Sequence, residues 1–127
     1  MITVADVMTR EVLVLRGEAT LREAVAYLAE QHVSGTPVVD ALGRMAGAVT
    51  SSDLLQAQSE GMDLDSTTVQ EVMTRPTLTV GPDTELREAA LAMEYGDVHR
   101  LFVQQDGELV GVVSRSDVNR ALATGRL

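Results

Sequence analysis

The sequence predicts a mixed α/β (α+β) fold in which two tandem β-α-β-β-α repeats pack about a pseudo-two-fold axis. Three observations predict it: self-similarity at a nearly constant offset, the same order of apolar periodicities in both copies, and turn residues where the copies differ in length. Val4-Ala5-Asp6-Val7-Met8-Thr9 aligns with Val69-Gln70-Glu71-Val72-Met73-Thr74 at an offset of 65, as does Leu21-Arg22-Glu23-Ala24 with Leu86-Arg87-Glu88-Ala89. After one deletion between Val39 and Gly43 the offset becomes 64, so that Gly47 meets Gly111, Val49 meets Val113 and Asp53 meets Asp117. A hairpin loop can absorb such a deletion.

Each copy opens with a helical turn carrying a capping signature, Thr3 to Asp6 and Thr68 to Glu71. A strand follows, Val12–Leu15 and Thr77–Val80. An amphipathic helix comes next, with Leu21, Ala24, Val25 and Leu28 at i, i+3, i+4 and i+7, and with Leu86, Ala89, Ala90 and Met93 repeating that spacing. Thr20 and Glu23 form a capping box at its start in the first copy. Two strands around a Gly-containing turn are Thr36–Val39 with Met45–Thr50, and Leu101–Gln104 with Leu109–Ser114. A last helix begins near Ser52 and Ser116. The polar, acidic stretch Gln56 to Thr67 reads as a connector, giving repeat one as 1–58, the linker as 59–67 and repeat two as 68–127.

The 127 residues suit one domain with a real core. The absence of cysteine excludes disulfides, thiolate metal sites and a Cys nucleophile. No apolar run reaches the ~20 residues of a membrane span, and no basic-then-apolar leader opens the chain, so the expected location is cytoplasmic. A net charge of −9 repels nucleic acid and anionic membranes, and the three aromatics Tyr27, Tyr95 and Phe102 are too few for a base-stacking platform. Neither nucleic acid nor membrane is therefore an expected partner.

The repeated Val-Met-Thr turns, the Leu-Arg-Glu-Ala helix starts, Val33-Ser34-Gly35-Thr36-Pro37-Val38-Val39-Asp40 and Val98-His99-Arg100-Leu101-Phe102-Val103 resemble the cystathionine β-synthase (CBS) domain pair. So do the closing segments Gly47-Ala48-Val49-Thr50-Ser51-Ser52-Asp53 and Gly111-Val112-Val113-Ser114-Arg115-Ser116-Asp117. The resemblance implies a regulatory module that binds AMP, ADP, ATP or S-adenosylmethionine in an inter-repeat cleft, requires no cofactor, forms a homodimer and acts on a regulated protein partner. It implies a ligand-binding set of Thr36, Pro37, Thr50, Ser52, Asp53, Thr77, His99, Arg100, Ser114, Ser116 and Asp117.

These residues carry two readings. Asp53 and Asp117 could accept hydrogen bonds from a ribose diol while Thr50, Ser114 and Ser116 face phosphate at a helix N-terminus; the same Thr/Ser-x-x-Asp pattern is an ordinary capping box. His99 and Arg100 could face phosphate or be a solvated corner, and Arg10, Arg75 and Arg115 are further cations near the expected cleft. Thr36-Pro37 would set backbone groups against an adenine edge, and Phe102, where the family carries proline, reads as core. Met8 and Met73 read as core filling, and His32 as an end charge or surface residue at a helix C-terminus. Apolar residues around more than one face of Ala24–Ala29 and Ala89–Met93 give the helices a further surface to bury, which suits a homodimer. An enzyme is not expected, because no Cys, His-x-x-x-His, Gly-x-Ser-x-Gly or Walker-type loop is present. The alternative to sensing is a ligand-free dimerisation or protein-interaction module.

Overall fold

The computed structural model describes residues 1–75 and 78–127. Its elements run α1 (Val4–Val7), β1 (Leu15–Arg16), α2 (Leu21–Gln31), β2 (Gly35–Val39), β3 (Met45–Thr50), α3 (Ser51–Ser59), α4 (Val69–Val72), β4 (Thr79–Val80), α5 (Leu86–Gly96), β5 (Arg100–Gln105), β6 (Glu108–Ser114) and α6 (Arg115–Ala123). They form two units, Leu13–Pro76 and Met1–Val12 with Thr77–Leu127.

In the first of these units the sheet order is β1-β2-β3, with β1 parallel and β3 antiparallel to β2. β1 is shorter than the expected Val12–Leu15 strand and starts at its last residue. The reason lies in Thr36, whose hydroxyl donates to the Leu13 carbonyl at 2.7 Å, so the chain joins the ladder only from Leu15, opposite Val38. Leu21, Ala24 and Leu28 of α2 are buried with Leu15, Val38, Val49, Leu54, Ala57 and Val69, whereas Val25 is 45% exposed. The capping box at the start of α2 forms: Glu23 N–H donates to the Thr20 hydroxyl oxygen, and Thr20 N–H donates back to Glu23. α3 continues through Ser59, so residues 56–59 are helical and not connector. The chain beyond it is tied down, with Leu64 packed against the core and Arg22 paired with Asp65 through Nε–Oδ1 and through Nη2–Oδ2 at 3.2 Å. That hydrogen-bonded guanidinium holds the Asp65 carboxyl below the usual carboxylate range.

The other unit repeats this arrangement. Its sheet order is β4-β5-β6, and Leu86, Ala89, Met93, Leu101, Val103, Val113 and Ala121 are buried together. β4 begins at Thr79, inside the expected Thr77–Val80 strand, and Thr77 itself lies outside the described residues. The β5–β6 turn, Asp106 (φ 55) and Gly107 (φ 84), has the positive φ pair of a tight hairpin. In the first copy the turn is longer, and the Asp40 carboxylate accepts from the Leu42 and Arg44 N–H groups, each at 2.9 Å. This is where the one-residue deletion falls. His32 and Asp97 close α2 and α5 in the left-handed conformation (φ 54 and 52), and both are exposed.

The leading turns are exchanged between the sequence copies. Val4 of α1 and its C-cap Met8 are buried among residues of the second copy, and Val69 of α4 is buried among residues of the first. The joints are alike: Thr9 N–H and C=O pair with Val112 at 2.9 and 3.0 Å, and Thr74 pairs with Ala48 at 2.8 and 2.7 Å. The Thr68 N–H and hydroxyl donate to Glu71 at 2.7 and 2.9 Å and hold its carboxyl below its usual range; the Thr3 N–H and hydroxyl do the same for Asp6. Met8 is buried and Met73 half-buried, as core filling requires.

Phe102 departs from expectation. Strand alternation turns Leu101 and Val103 into the core, so Phe102 occupies the opposite face of β5, half-buried and paired in register with Val112.

Each joint needs a glycine. A Cβ at Gly111 would lie 2.7 Å from Met8 Sδ and 2.9 Å from the Thr9 carbonyl oxygen. The sulfur can move, but the carbonyl is held in the Thr9–Val112 pair. Gly111→Ala is therefore expected to destabilise the fold by about 1–3 kcal/mol, read as a lower denaturation midpoint in urea with an unchanged slope.

Candidate functional site

The two Thr/Ser-x-x-Asp segments sit at the N-termini of α3 and α6. The β-strand before each helix ends on the capping hydroxyl residue, which sets the following three residues on the first helical turn. Thr50 N–H donates to Asp53 Oδ2 at 2.9 Å and Asp53 N–H donates to Thr50 Oγ1 at 3.2 Å. Ser114 N–H donates to Asp117 Oδ2 at 2.8 Å, its hydroxyl donates to the same oxygen at 3.0 Å, and Asp117 N–H donates to Ser114 Oγ at 3.3 Å. Both aspartates are thus capping carboxylates here. The second carboxylate oxygen differs between the copies. Asp53 Oδ1 accepts from the Thr74 hydroxyl at 3.1 Å, whereas Asp117 Oδ1 faces Arg120 Nη1 at 3.4 Å.

His99, Arg100, Ser114 and Ser116 come together. With Val112 and Arg115 they line a cavity of about 320 Å³ over the N-terminus of α6. The β5–β6 register places Arg100 directly opposite Ser114, and Arg115 N–H donates to the His99 carbonyl at 2.9 Å, which locks β5 to the helix start. His99, Arg100 and Ser116 are exposed. The Ser116 N–H, in the first turn, has no protein acceptor among the described residues. An imidazole, a guanidinium, a hydroxyl and a free helix N–H around one cavity make a place for an anion.

Arg115 does not belong to that set of free donors, although it lines the cavity. Its Nε donates to the Val98 carbonyl at 3.1 Å and its Nη2 to the Met93 carbonyl at 3.3 Å, with Glu94 at 3.8 Å. It satisfies carbonyls at the end of α5, where cations are favoured. The first copy has Ser51 at this position, so local pattern carried no signal for the role. Among the described residues, Arg10 and Arg75 each reach a backbone carbonyl, Ala5 and Ala46, at 3.4 Å.

In the first copy, Ser52 is exposed on the first turn of α3, and Pro37 and Thr36 are buried in β2. The Thr36 hydroxyl is spent on Leu13. Ser34 and Gly35 stand where the second copy carries His99 and Arg100, so this helix start has no cation beside it at those positions. The cavity of about 270 Å³ near Asp53 is instead lined by Glu60 and Glu71 as well.

The CBS domain profile matches residues 4–60 and 69–124, and the chain belongs to the CBS domain family. An uncharacterized protein of Methanocaldococcus jannaschii (MJ1232) is 32% identical over 96% of this chain, which spans 40% of that protein. A homoserine O-acetyltransferase of Methanococcoides burtonii is 33% identical over 94% of this chain, which spans 24% of it. The chain thus covers less than half the length of these relatives. Among solved structures, an acetoin utilization protein (AcuB) from Vibrio cholerae is 33% identical, with a TM-score of 0.88 over 100% of this chain and 95% of that one. CBSX2 in complex with AMP is 31% identical, with a TM-score of 0.86 over 100% of both chains. The CBS domain pair of MJ0100, in complex with 5-methylthioadenosine and S-adenosyl-L-methionine, is 25% identical, with a TM-score of 0.77 over 94% of this chain and 98% of that one. No helix among the described residues is long and apolar enough to cross a membrane.

Arg115→Ala is expected to cost about 1–2 kcal/mol of stability by removing the donor to the Val98 carbonyl, since the Met93 carbonyl keeps the Val98 N–H at 3.0 Å. A thermal melt checks this, and the same change should leave ligand affinity within a factor of about two if Arg115 is committed to α5.

Proposed function

We propose that this chain is a regulatory binding module for an adenosine-containing ligand, AMP being the best fit, and that it binds without catalysis. The observation that carries this is the cavity at the start of α6, where His99, Arg100 and Ser116 offer donors to an anion. The likeness to CBSX2, whose structure holds AMP, supports the adenosine class, and that to the MJ0100 pair keeps S-adenosylmethionine as the second candidate. ADP and ATP add charge that the exposed cations can meet, since a net charge of −9 is screened over ~8 Å at physiological salt. In this reading Arg100 and His99 hold phosphate, Ser116 donates to it, and Asp117 takes the ribose diol through Oδ1 while Ser114 fixes its other oxygen. Thr50, Ser52 and Asp53, with Thr36 and Pro37, would serve a second, weaker site without a cation pair. The module would pass the bound state to a regulated protein partner, in a cytoplasmic setting.

Calorimetric titration of AMP, ADP, ATP and S-adenosylmethionine tests the reading. Arg100→Ala should weaken AMP by about ten- to a hundred-fold, the worth of a charged hydrogen bond, and Ser52→Ala should change it little. If none of these ligands binds the wild-type chain, the module is an interaction domain without a small-molecule ligand.

We further propose a homodimer built through the helices. Val25 on α2 and Leu55 on α3 are 45% and 67% exposed beside an apolar cavity of about 340 Å³, and Leu91, Tyr95 and Leu122 on α5 and α6 are 50%, 87% and 56% exposed. Ala26 is exposed and Ala92 is half-buried against its core, so Ala26 is the position to probe. Ala26→Glu should shift light-scattering mass toward the monomer, and a monomeric wild type at high concentration would end this reading.

A further inference from the structure

We infer that Arg120 makes this site discriminate an anionic nucleotide from the neutral nucleoside, by exchanging the Asp117 carboxylate for the ligand's own anion. The inference rests on the proposed adenosine-ligand site and names a specificity device within it. Asp117 is 7% exposed, and its Oδ2 is occupied by both the N–H and the hydroxyl of Ser114. Only Oδ1 is left to meet a diol, and it faces Arg120 Nη1 at 3.4 Å. That separation is beyond the usual N–H···O range, and the Arg120 side chain is 69% exposed, so the guanidinium is a loose partner that can swing away.

The arrangement is peculiar to the second copy. At the matching position the first copy has Gln56, which donates to Glu60 at 3.2 Å, while Asp53 Oδ1 is met by the neutral Thr74 hydroxyl. A diol arriving at Asp117 competes with a cation for Oδ1, and a guanidinium drawn off that oxygen remains without its anion. A nucleotide brings one: its phosphate can take over Arg120 while its hydroxyls take over Oδ1. A neutral nucleoside brings the diol alone and pays the displacement without compensation. Arg120 is thus a specificity residue, and its effect is on the ratio of two affinities.

The test is calorimetric titration of AMP and of adenosine into the wild type, Arg120→Gln and Arg100→Ala, with melting temperatures taken alongside. Glutamine is the residue the first copy carries. The wild type should prefer AMP. In Arg120→Gln the AMP-to-adenosine affinity ratio should fall about tenfold, with adenosine binding tighter than in the wild type. Arg100→Ala should weaken AMP without tightening adenosine. If AMP binds but Arg120→Gln leaves the ratio within about twofold of the wild type, or if adenosine fails to gain, the inference is overturned while the binding site stands. If the wild type binds neither, the underlying reading falls and takes this one with it. Should Arg120→Gln lower the melting temperature, Arg120→Lys, which keeps the charge, must restore the wild-type ratio for the inference to hold.

Discussion

The contact on which each unit depends is the close pairing of a Met-Thr dipeptide with the third strand of a sheet. Thr9 pairs with Val112 and Thr74 with Ala48, and in both cases the approach requires glycine at the neighbouring strand position, 111 or 47. A Cβ at Gly47 would meet the Thr74 carbonyl oxygen at 2.9 Å, the same separation as at Gly111 and Thr9. This joint anchors α1 and α4, whose Val4 and Val69 are fully buried. Burying a valine of this kind contributes roughly 1.5–3 kcal/mol. Without the leading turn, a three-stranded sheet with two helices would leave that part of its core open to water. Since the turn comes from the other sequence copy, neither repeat closes its core with its own residues. The repeat is a unit of sequence; the structural unit is assembled from both.

That exchange also explains what was legible beforehand. The period of Leu21, Ala24 and Leu28 and of Leu86, Ala89 and Met93 predicted α2 and α5, because a buried stripe is a local property of a helix. The capping residues predicted the starts of α1 to α4 and α6 for the same reason, and the offset change located the hairpin that absorbs the deletion. Partner choice is not local. Nothing in Val4-Ala5-Asp6-Val7 says which sheet it covers. Likewise Val12 to Val14 have strand composition, but Thr36 takes the Leu13 carbonyl across a separation of 23 residues and delays the ladder. Residue type places Phe102 in the core, yet the alternation set by Leu101 and Val103 decides its face. The family resemblance supplied the candidate site, and the pattern alone could not have separated a ligand carboxylate from a cap.

The site shows why those two roles need not exclude each other. A capping aspartate is held in a fixed rotamer by the helix it starts, with one oxygen saturated. The remaining oxygen is then pre-aimed and cannot turn to satisfy itself elsewhere. For Asp53 it is quieted by a hydroxyl; for Asp117 it is quieted by a cation that solvent can draw away. The two copies therefore keep one backbone plan and differ in how cheaply the carboxylate can be released. Charge follows the same division: His99 and Arg100 stand where the first copy has Ser34 and Gly35, while Glu60 and Glu71 gather near Asp53.

Duplication makes such a division inexpensive. The glycine joints, the buried valines and the capping boxes occur twice, so they hold the framework whichever residues occupy the exposed first turn of α3 or α6. Ser52, Ser116, Gln56 and Arg120 are all exposed, and substitution there leaves the buried clusters untouched. Arg115 marks the boundary of that freedom. It lies at the rim of the cavity with the free donors, but its guanidinium closes α5, so a change there would reach the fold before it reached the ligand. The residues able to tune binding are those whose polar atoms the framework has left unspent, and in the second copy these are His99, Arg100, Ser116 and, through its loose hold on Asp117, Arg120.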